Sequence, residues 1–275
     1  MSLRTAPRVG PVVGIKVGIN GDASSSAPPA AYTGTIDAGS GRPAPSSSAE
    51  WTSFIAAYGL SVAVPGHLHL CQEASGNLAA TIGGLTLTAS GTVLYQKSVA
   101  GWARKGVGGN FLVGEFTNAA GPSVSTTSTA RFAWLAIDAG ADFLNSALMA
   151  NGTNMSGWGL GVRRVAGGLI LRIRGAGGFL DSAAAYVPGV AYPMLMVNDN
   201  TGGRMRLYTP FEKLAPAWSL PAVAGRYGIG GVAGGTFAPS AILHEAGWQG
   251  AAAEISDANA KALIEAMWGL PVPWS

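Results

Sequence analysis

Short apolar runs alternate with turn sequences from residue 62 to residue 250, and this pattern limits the fold more than any other feature of the chain. Apolar side chains at alternating positions, bounded by glycine, proline and asparagine, are typical of β-strands. Charged residues make up only 11% of the chain, against about 25% in typical soluble domains, and glycine occurs 41 times. Few charges and frequent turns favour short strands joined by tight loops. Strands are predicted at 68–71, 85–90, 130–138, 159–165, 169–174, 192–197, 204–208 and 241–248.

Two helices are predicted, one on each side of the strands. Ser47 and Glu50 have the spacing of a capping box, and the apolar residues after them recur at helical intervals, which predicts a short helix over about 49–58. Near the C-terminus, Ser256 is the predicted N-cap of a second helix and Gly269 its C-cap. Strands at this spacing with helices only at the flanks indicate an all-β fold, a two-sheet antiparallel sandwich.

The first 46 residues differ from the rest of the chain. Val13, Ile15, Val17 and Ile19 alternate with glycine and lysine, as in a strand, and two segments rich in proline and serine follow. Such a composition buries too little apolar surface to fold alone, so we expect an extended arm that docks onto a larger assembly. The predicted organisation is an assembly arm at 1–46, a short helix and connector at 47–61, and a β-sandwich with a C-terminal helix at 62–275.

Three segments in this order carry a resemblance to a known superfamily. They are LHLCQEASGN at 68–77 with GGLTLT at 83–88, WGLGV at 158–162 with GLILRI at 168–173, and IGG at 229–231 with HEAGW at 244–248 and EISDAN at 254–259. Together they resemble the concanavalin A-like lectin/glucanase superfamily, in its laminin-G-like bacterial and bacteriophage branch. The resemblance spans about residues 62–270 and implies a two-sheet jelly roll. It does not fix the function, because this fold hosts lectins, hydrolases and structural modules.

The acidic residues lack the pattern of that superfamily's glucanases, which place two carboxylates on one face of a strand. None of the 14 acidic residues has this spacing. Asp138 and Asp142 are four positions apart, and Glu254 and Asp257 flank the start of the predicted C-terminal helix. The sequence therefore predicts no catalytic residue and a chain that is not an enzyme.

Histidine and cysteine are scarce, which limits the metal sites that the chain can form. Of the three histidines, His67 and His69 project from the same face of a predicted strand, and two such residues can ligate a metal ion. No third ligand is evident near them in the sequence, so no zinc site is predicted. The single cysteine, Cys71, is predicted to be a buried apolar residue rather than a nucleophile.

Calcium is the alternative to a chain without any cofactor, because related lectin-like domains bind it. Asp199 and Asn200, or Glu73 and Asn77, carry suitable oxygen ligands. The favoured interpretation of all four is that they form turns and bond to nearby backbone.

Eight tryptophans offer candidate platforms for a sugar ring. Four of them lie in predicted strands or on predicted helix faces and are assigned to the core; they are Trp51, Trp134, Trp248 and Trp268. Three others are the candidates for glycan binding, namely Trp102, Trp158 and Trp218.

Two classes of function remain open. The first is a structural or decoration protein of a large particle, a bacteriophage virion, that displays a lectin-like domain and binds other particle proteins through its arm as a homo-oligomer. The alternative is a glycan-binding adhesion module located outside the cell or at its surface. The net charge of +3 and the scattered basic residues give no nucleic-acid interface, and no apolar run is long enough to cross a membrane.

Overall fold

The computed structural model describes most of the chain from residue 32 onwards. The described ranges are 32–36, 42–71, 73, 75–95, 112–121, 127–137, 146–151, 158–166, 168–175, 178–216, 218, 225–230, 236–237 and 240–275. The helices are α1 (Ser48–Ala57) and α2 (Asp257–Trp268), with a 3₁₀ turn at Gly250–Ala253. The strands are β1 (His67–His69), β2 (Thr88–Tyr95), β3 (Leu112–Gly121), β4 (Thr129–Ile137), β5 (Ser146–Asn151), β6 (Trp158–Val165), β7 (Gly168–Gly175), β8 (Gly178–Asp181), β9 (Ala191–Asp199), β10 (Arg204–Tyr208), β11 (Lys213–Leu214), β12 (Gly225–Ile229), β13 (Thr236–Phe237) and β14 (Ser240–Gln249).

The strands form two packed sheets, and the predicted all-β sandwich is confirmed. One sheet has six strands in the order β11-β10-β9-β4-β14-β3, and the other has five in the order β12-β5-β6-β7-β8. The sheets are continuous where β12 pairs with β3, with a register shift between Gly225 and Tyr227. Strand β1 pairs with β14 and β2 with β3, and all of these pairings are antiparallel, whereas the short β13 runs parallel to β5.

The six-stranded sheet is covered on both faces. Its inner face, with alternate residues such as Leu135 and Met194, packs against residues of the five-stranded sheet such as Leu171. Its outer face packs against both helices, with Trp51 of α1 and Leu263 of α2 in one cluster. Because both faces are covered, every residue of β4 is buried, which explains why this strand reads as a nearly continuous apolar run.

Both helices begin where their capping residues predict. The Ser47 hydroxyl accepts a hydrogen bond from the backbone N–H of Glu50, at 3.2 Å, and the Ser256 hydroxyl accepts one from that of Asn259, at 3.3 Å. Gly269 ends α2 at a positive φ of 76°, which favours glycine.

The boundary predicted for the arm lies too far along the chain. Tyr32 and Ala44 are only 6% and 1% exposed, and Tyr32 belongs to the cluster that contains α1. Arg42 is also buried. The backbone of Thr35 and Ser46 bonds to Glu50 of α1, so these residues belong to the folded domain.

Residues Val13, Ile15, Val17 and Ile19, predicted to form the docking strand, lie outside the described residues. Among the helices that the structure describes, none combines the length and the apolar character needed to span a membrane.

Candidate functional site

A cluster of five polar residues lies between the two sheets, where apolar side chains are expected. We name it the interior polar cluster: His67 and His69 of β1, Arg131 of β4, Tyr227 of β12 and Glu245 of β14. All five are buried, and Glu245 has no exposed surface. Alternation along the strands brings them inward, because their neighbours Leu68, Phe132 and Ala246 point to the helix-covered face.

The carboxylate of Glu245 is the centre of this cluster. Its Oε2 lies 2.8 Å from Nδ1 of His69, and its Oε1 lies 3.3 Å from Nε2 of His67 and 3.3 Å from a terminal nitrogen of Arg131. The Tyr227 hydroxyl donates to Oε1 and lies 2.6 Å from Nε2 of His67. A fully buried carboxylate is tolerated only when several donors or cations surround it, as they do here.

Backbone carbonyls of β5, of β12 and of the segment before β2 hold the cluster in place. Arg131 donates through Nη1 to the carbonyls of Ala150 and Gly228, at 3.0 and 2.7 Å, and its guanidinium carbon lies 3.4 Å from the centroid of the Tyr227 ring. Nε2 of His69 lies 2.8 Å from the carbonyl oxygen of Leu85, which fixes this nitrogen as a donor.

The groups around Glu245 and His69 counteract the effect of burial on the pKa values of these two side chains. Burial alone would raise the pKa of Glu245, but the charge and hydrogen bond of His67, with those of His69 and Arg131, hold it well below its ordinary value. Burial would likewise lower the pKa of His69, yet the bond to Glu245 raises it. Glu245 is therefore ionised, and a positive charge is favoured at His69.

His67 and His69 share a strand face, as expected from the sequence. No third ligand group is evident near them in the sequence, and the one that the structure brings to them comes from a distant strand. Glu245, 176 positions beyond His69, brings its carboxylate to them, and the three ligand atoms lie within 4.8 Å of one another. No local pattern could reveal this, because strand pairing alone brings β14 beside β1.

All four calcium candidates take part in hydrogen bonds within the domain. Asp199 accepts from the backbone N–H of Gly202 at 2.8 Å and lies 3.6 Å from a nitrogen of Arg206, and the backbone N–H of Asn200 donates to Ser128. Glu73 and Asn77 accept hydrogen bonds from the backbone N–H groups of Ala79 and Ala89. The contact of Asp199 with Gly202 is typical of an aspartate in a turn.

Of the three tryptophans predicted to bind glycans, Trp218 is the one whose surroundings the structure describes. Trp218 is half-buried and packs against the core between the sheets. Trp158 begins β6, and Trp102 lies outside the described residues. The core assignment holds for Trp51, Trp134 and Trp248, which are buried, and Trp268 is partly buried.

Cys71 is fully buried as predicted, and burial raises the pKa of its thiol well above the usual value.

A second polar group, which was not predicted from the sequence, lies on the outer face of the five-stranded sheet. We name it the β6–β8 face: Arg163, Arg172, Arg174, Phe179 and Asp181. Phe179 is 50% exposed, and the guanidinium carbons of Arg172 and Arg174 lie 5.0 and 5.3 Å from its ring centroid. Asp181 accepts from Arg172 at 2.5 and 2.8 Å and from Arg163 at 3.0 Å.

The register explains why these residues share one face. Arg174 pairs with Phe179 and Arg172 with Asp181, and Gly161, two positions before Arg163, pairs with Arg172. The alternate residues of β7, such as Ile173, point into the core. The sequence signal was the alternation of arginine with apolar residues in LILRIRG at 169–175.

Comparisons with solved structures identify related folds. A Trypanosoma rangeli sialidase in complex with the inhibitor DANA matches 74% of this chain with a TM-score of 0.52 and 11% identity. A mutant of that sialidase with trans-sialidase activity matches 77% with a TM-score of 0.51 and 12% identity. Domain 4 of AbnA, a GH43 extracellular arabinanase from Geobacillus stearothermophilus in complex with arabinotriose, matches 73% of this chain and 98% of its own length, with a TM-score of 0.48 and 12% identity.

This chain spans about a third of the length of the sialidases, 33% and 35%. No protein-family model matches it. The comparison with curated proteins likewise finds no similar sequence. At these identities the likeness shows a shared β-sandwich fold.

The prediction that the chain is not an enzyme was wrong. Sialidases, including one with trans-sialidase activity, contain this fold, so it occurs in enzymes that act on glycans. The sequence argument against catalysis considered only one arrangement of catalytic residues, two carboxylates on a single strand. A sandwich also collects ionisable side chains from distant strands, as the interior polar cluster demonstrates.

Proposed function

We propose that this chain is a glycan-recognition domain and that its contact surface is the β6–β8 face. The observation that carries the proposal is the half-exposed ring of Phe179, flanked by two guanidinium groups on the solvent side of a rigid sheet. The fold supports it, because the solved structures that share the sandwich include sialidases, one of them in complex with sialic acid. We also propose that the chain belongs to the laminin-G-like branch of the concanavalin A-like lectin/glucanase superfamily. This rests on the three sequence segments that resemble that branch.

The chemistry of this face suits a sugar ring. The C–H face of a pyranose is weakly positive and packs on the negative face of an aromatic ring, and this contact contributes roughly 0.5–1.5 kcal/mol. Arginine and aspartate beside the ring offer donors and an acceptor for ring hydroxyls. Because Arg172 is held by Asp181, little side-chain freedom is lost when a ligand binds.

The charge of the face favours acidic sugars. Arg163, Arg172 and Arg174 carry three positive charges against the single negative charge of Asp181. A carboxylate or sulfate on a sugar matches the planar fork of an arginine, which binds such groups through two parallel hydrogen bonds. We therefore expect uronic or sialic acid units, or sulfated units, to bind more tightly than neutral ones.

Binding to a panel of acidic and neutral oligosaccharides, measured by calorimetry, tests the proposal. Phe179→Ala should weaken binding roughly 3- to 10-fold through the lost ring contact, and Arg174→Ala should reduce the preference for acidic sugars. Val187→Ala is the matched control, because Val187 is 42% exposed outside this face. Binding should weaken as salt rises, since exposed charges are screened.

Two results would contradict this assignment. One is the absence of binding to every glycan of the panel, and the other is binding that Phe179→Ala and Arg174→Ala leave unchanged. The same samples should be analysed for released sugar, because release would add catalysis to recognition.

We also propose that the domain is displayed on a larger particle. The support for this is the strand-like alternation of Val13, Ile15, Val17 and Ile19 and the proline-rich sequence after it. Deleting residues 1–31 leaves Tyr32 and the rest of the described domain in place. If the truncated chain folds but no longer joins its particle or oligomer, these residues are the anchor; unchanged assembly would refute the idea.

A further inference from the structure

We propose that the interior polar cluster is a structural metal site, in which Nε2 of His67, Nδ1 of His69 and the carboxylate of Glu245 bind one divalent transition-metal ion of the Zn²⁺ type. The site is independent of the glycan-binding surface and concerns the assembly of the sandwich.

The orientation of His69 is the first argument. Its Nε2 faces the carbonyl oxygen of Leu85 at 2.8 Å and must donate there, so its Nδ1 faces Oε2 of Glu245, also at 2.8 Å. A neutral imidazole would then direct a lone pair at a carboxylate oxygen. This arrangement is stable only if a cation lies between the imidazole and the carboxylate, or if a proton is bound to one of them. A histidine whose second nitrogen donates to a backbone carbonyl is the usual arrangement of a metal ligand.

The distances are the second argument. The three ligand atoms lie within 4.8 Å of one another, and the Oε1–Nε2 distance between Glu245 and His67 is 3.3 Å. Zinc bonds of about 2.0–2.1 Å in a tetrahedral site place neighbouring ligand atoms about 3.3 Å apart. When an ion binds, the approach of His69 to Glu245 has to lengthen by about 0.5 Å, and a pair of ligand atoms as far apart as 4.8 Å has to close by about 1.5 Å. The Tyr227 oxygen, 2.6 Å from Nε2 of His67, is in reach as a fourth ligand.

Burial decides the role of the site. Glu245 and His69 have no exposed surface, so no substrate can reach an ion held there. With Tyr227 as the fourth ligand the site is closed, which is typical of structural rather than catalytic zinc. Nη1 of Arg131 is anchored on the carbonyls of Ala150 and Gly228, and Nη2 lies 3.3 Å from Oε1 of Glu245. The ion would join β1 and β14 of one sheet to β12 of the other.

Nitrogen and oxygen ligands of this kind select zinc-like ions over Mg²⁺ and Ca²⁺, which prefer all-oxygen sites. Background binding should be low, because the chain has only three histidines and one cysteine. An untagged protein is required, since a histidine tag would itself bind zinc.

The test uses the full-length wild-type protein. It is unfolded with a chelator, freed of the chelator, and refolded with Zn²⁺, with Mg²⁺ or without metal, because a fully buried site is loaded during folding. Elemental analysis after gel filtration should find one Zn²⁺ per chain and no bound Mg²⁺. The Zn²⁺-refolded protein should melt at least about 5 °C higher than the metal-free protein. Co²⁺ in place of Zn²⁺ should give the visible absorption of a tetrahedral site.

Variants assign the bound ion to the cluster. His69→Gln and Glu245→Gln should lose it, whereas His244→Gln should keep it, because His244 lies next to Glu245 on β14 but outside the cluster. Less than about 0.1 equivalent of zinc in refolded wild-type protein, with an unchanged melting temperature, would overturn the proposal and assign the positive charge to a proton on His69. Retention of zinc by a folded His69→Gln variant would overturn it too. The wild-type measurement decides the matter even if both cluster variants fail to fold.

Discussion

Glu50→Ala should detach the residues before α1 from the sandwich and lower the free energy of unfolding by about 3 kcal/mol. Oε2 of Glu50 accepts from the backbone N–H of Thr35 at 3.1 Å, and from the N–H and hydroxyl of Ser46 at 2.8 and 3.0 Å. Oε1 accepts from the Thr35 hydroxyl at 3.0 Å. Hydrogen bonds to a charged group contribute about 1.5–3 kcal/mol each, so four would give about 6 kcal/mol at the low end. Water can replace roughly half of this at a partly exposed site, which leaves about 3 kcal/mol.

Two further variants bracket this value. Glu50→Gln keeps an acceptor oxygen but loses the charge, and should cost about 1 kcal/mol. Thr52→Ala is the control, because Thr52 lies on the exposed side of the same helix and its hydroxyl bonds only to the Ser48 carbonyl, so the change should stay within about 0.5 kcal/mol.

The acid response gives an independent check on the same residue. Burial would raise the pKa of Glu50, but the hydrogen bonds from Ser46 and Thr35 lower it. A folded pKa below the unfolded value means that Glu50 stabilises the chain above the unfolded pKa of about 4.3, and that this contribution is lost as pH falls through the folded pKa. The difference between wild type and Glu50→Ala should therefore shrink in acid.

Urea unfolding followed by tryptophan fluorescence measures these differences in the free energy of unfolding. Trp51, the residue after Glu50, is buried in the core and reports on unfolding. Hydrogen exchange at residues 42–46 should speed up in Glu50→Ala. A loss below 0.5 kcal/mol, with unchanged exchange, would refute the conclusion that this segment belongs to the domain.

Three other predictions concern the core and the surface. Phe54→Ala should cost about 3–5 kcal/mol in urea unfolding, because Phe54 is fully buried in the cluster beneath α1. A β-carbon at Gly247 would lie 2.6 Å from Nε2 of His67, so Gly247→Ala should cost about 1–3 kcal/mol, and His67→Ala in the same chain should remove most of that cost in a double-mutant cycle. The hydrogen bonds of Arg172 lower the pKa of Asp181, so an Asp181→Asn variant should be less stable than wild type at pH 7 and approach it below the folded pKa, as measured by melting at a series of pH values.

Local rules account for much of the fold. The alternation of apolar residues predicted most of the strands of the six-stranded sheet, and the spacing of Ser47, Glu50, Ser256 and Gly269 predicted both helices to within a residue or two. These features depend on side chains a few positions apart, so one sequence contains the information. Strand β3 was missed because Gly114 and Asn118 interrupt its pattern, and its neighbours on both sides supply the hydrogen bonds that hold it extended.

The sequence by itself determined that this chain is a β-sandwich with flanking helices, and that His67 and His69 face the same way. Only the tertiary structure decided what they face. Glu245, Arg131 and Tyr227 come from three other strands, and each turns inward because of the register in which its strand pairs. Register is set by the burial of whole strand faces rather than by neighbouring residues, so a contact between residues 69 and 245 leaves no local trace. The same physical reason hid the β6–β8 face, where pairing across a sheet edge brings Phe179 beside Arg174.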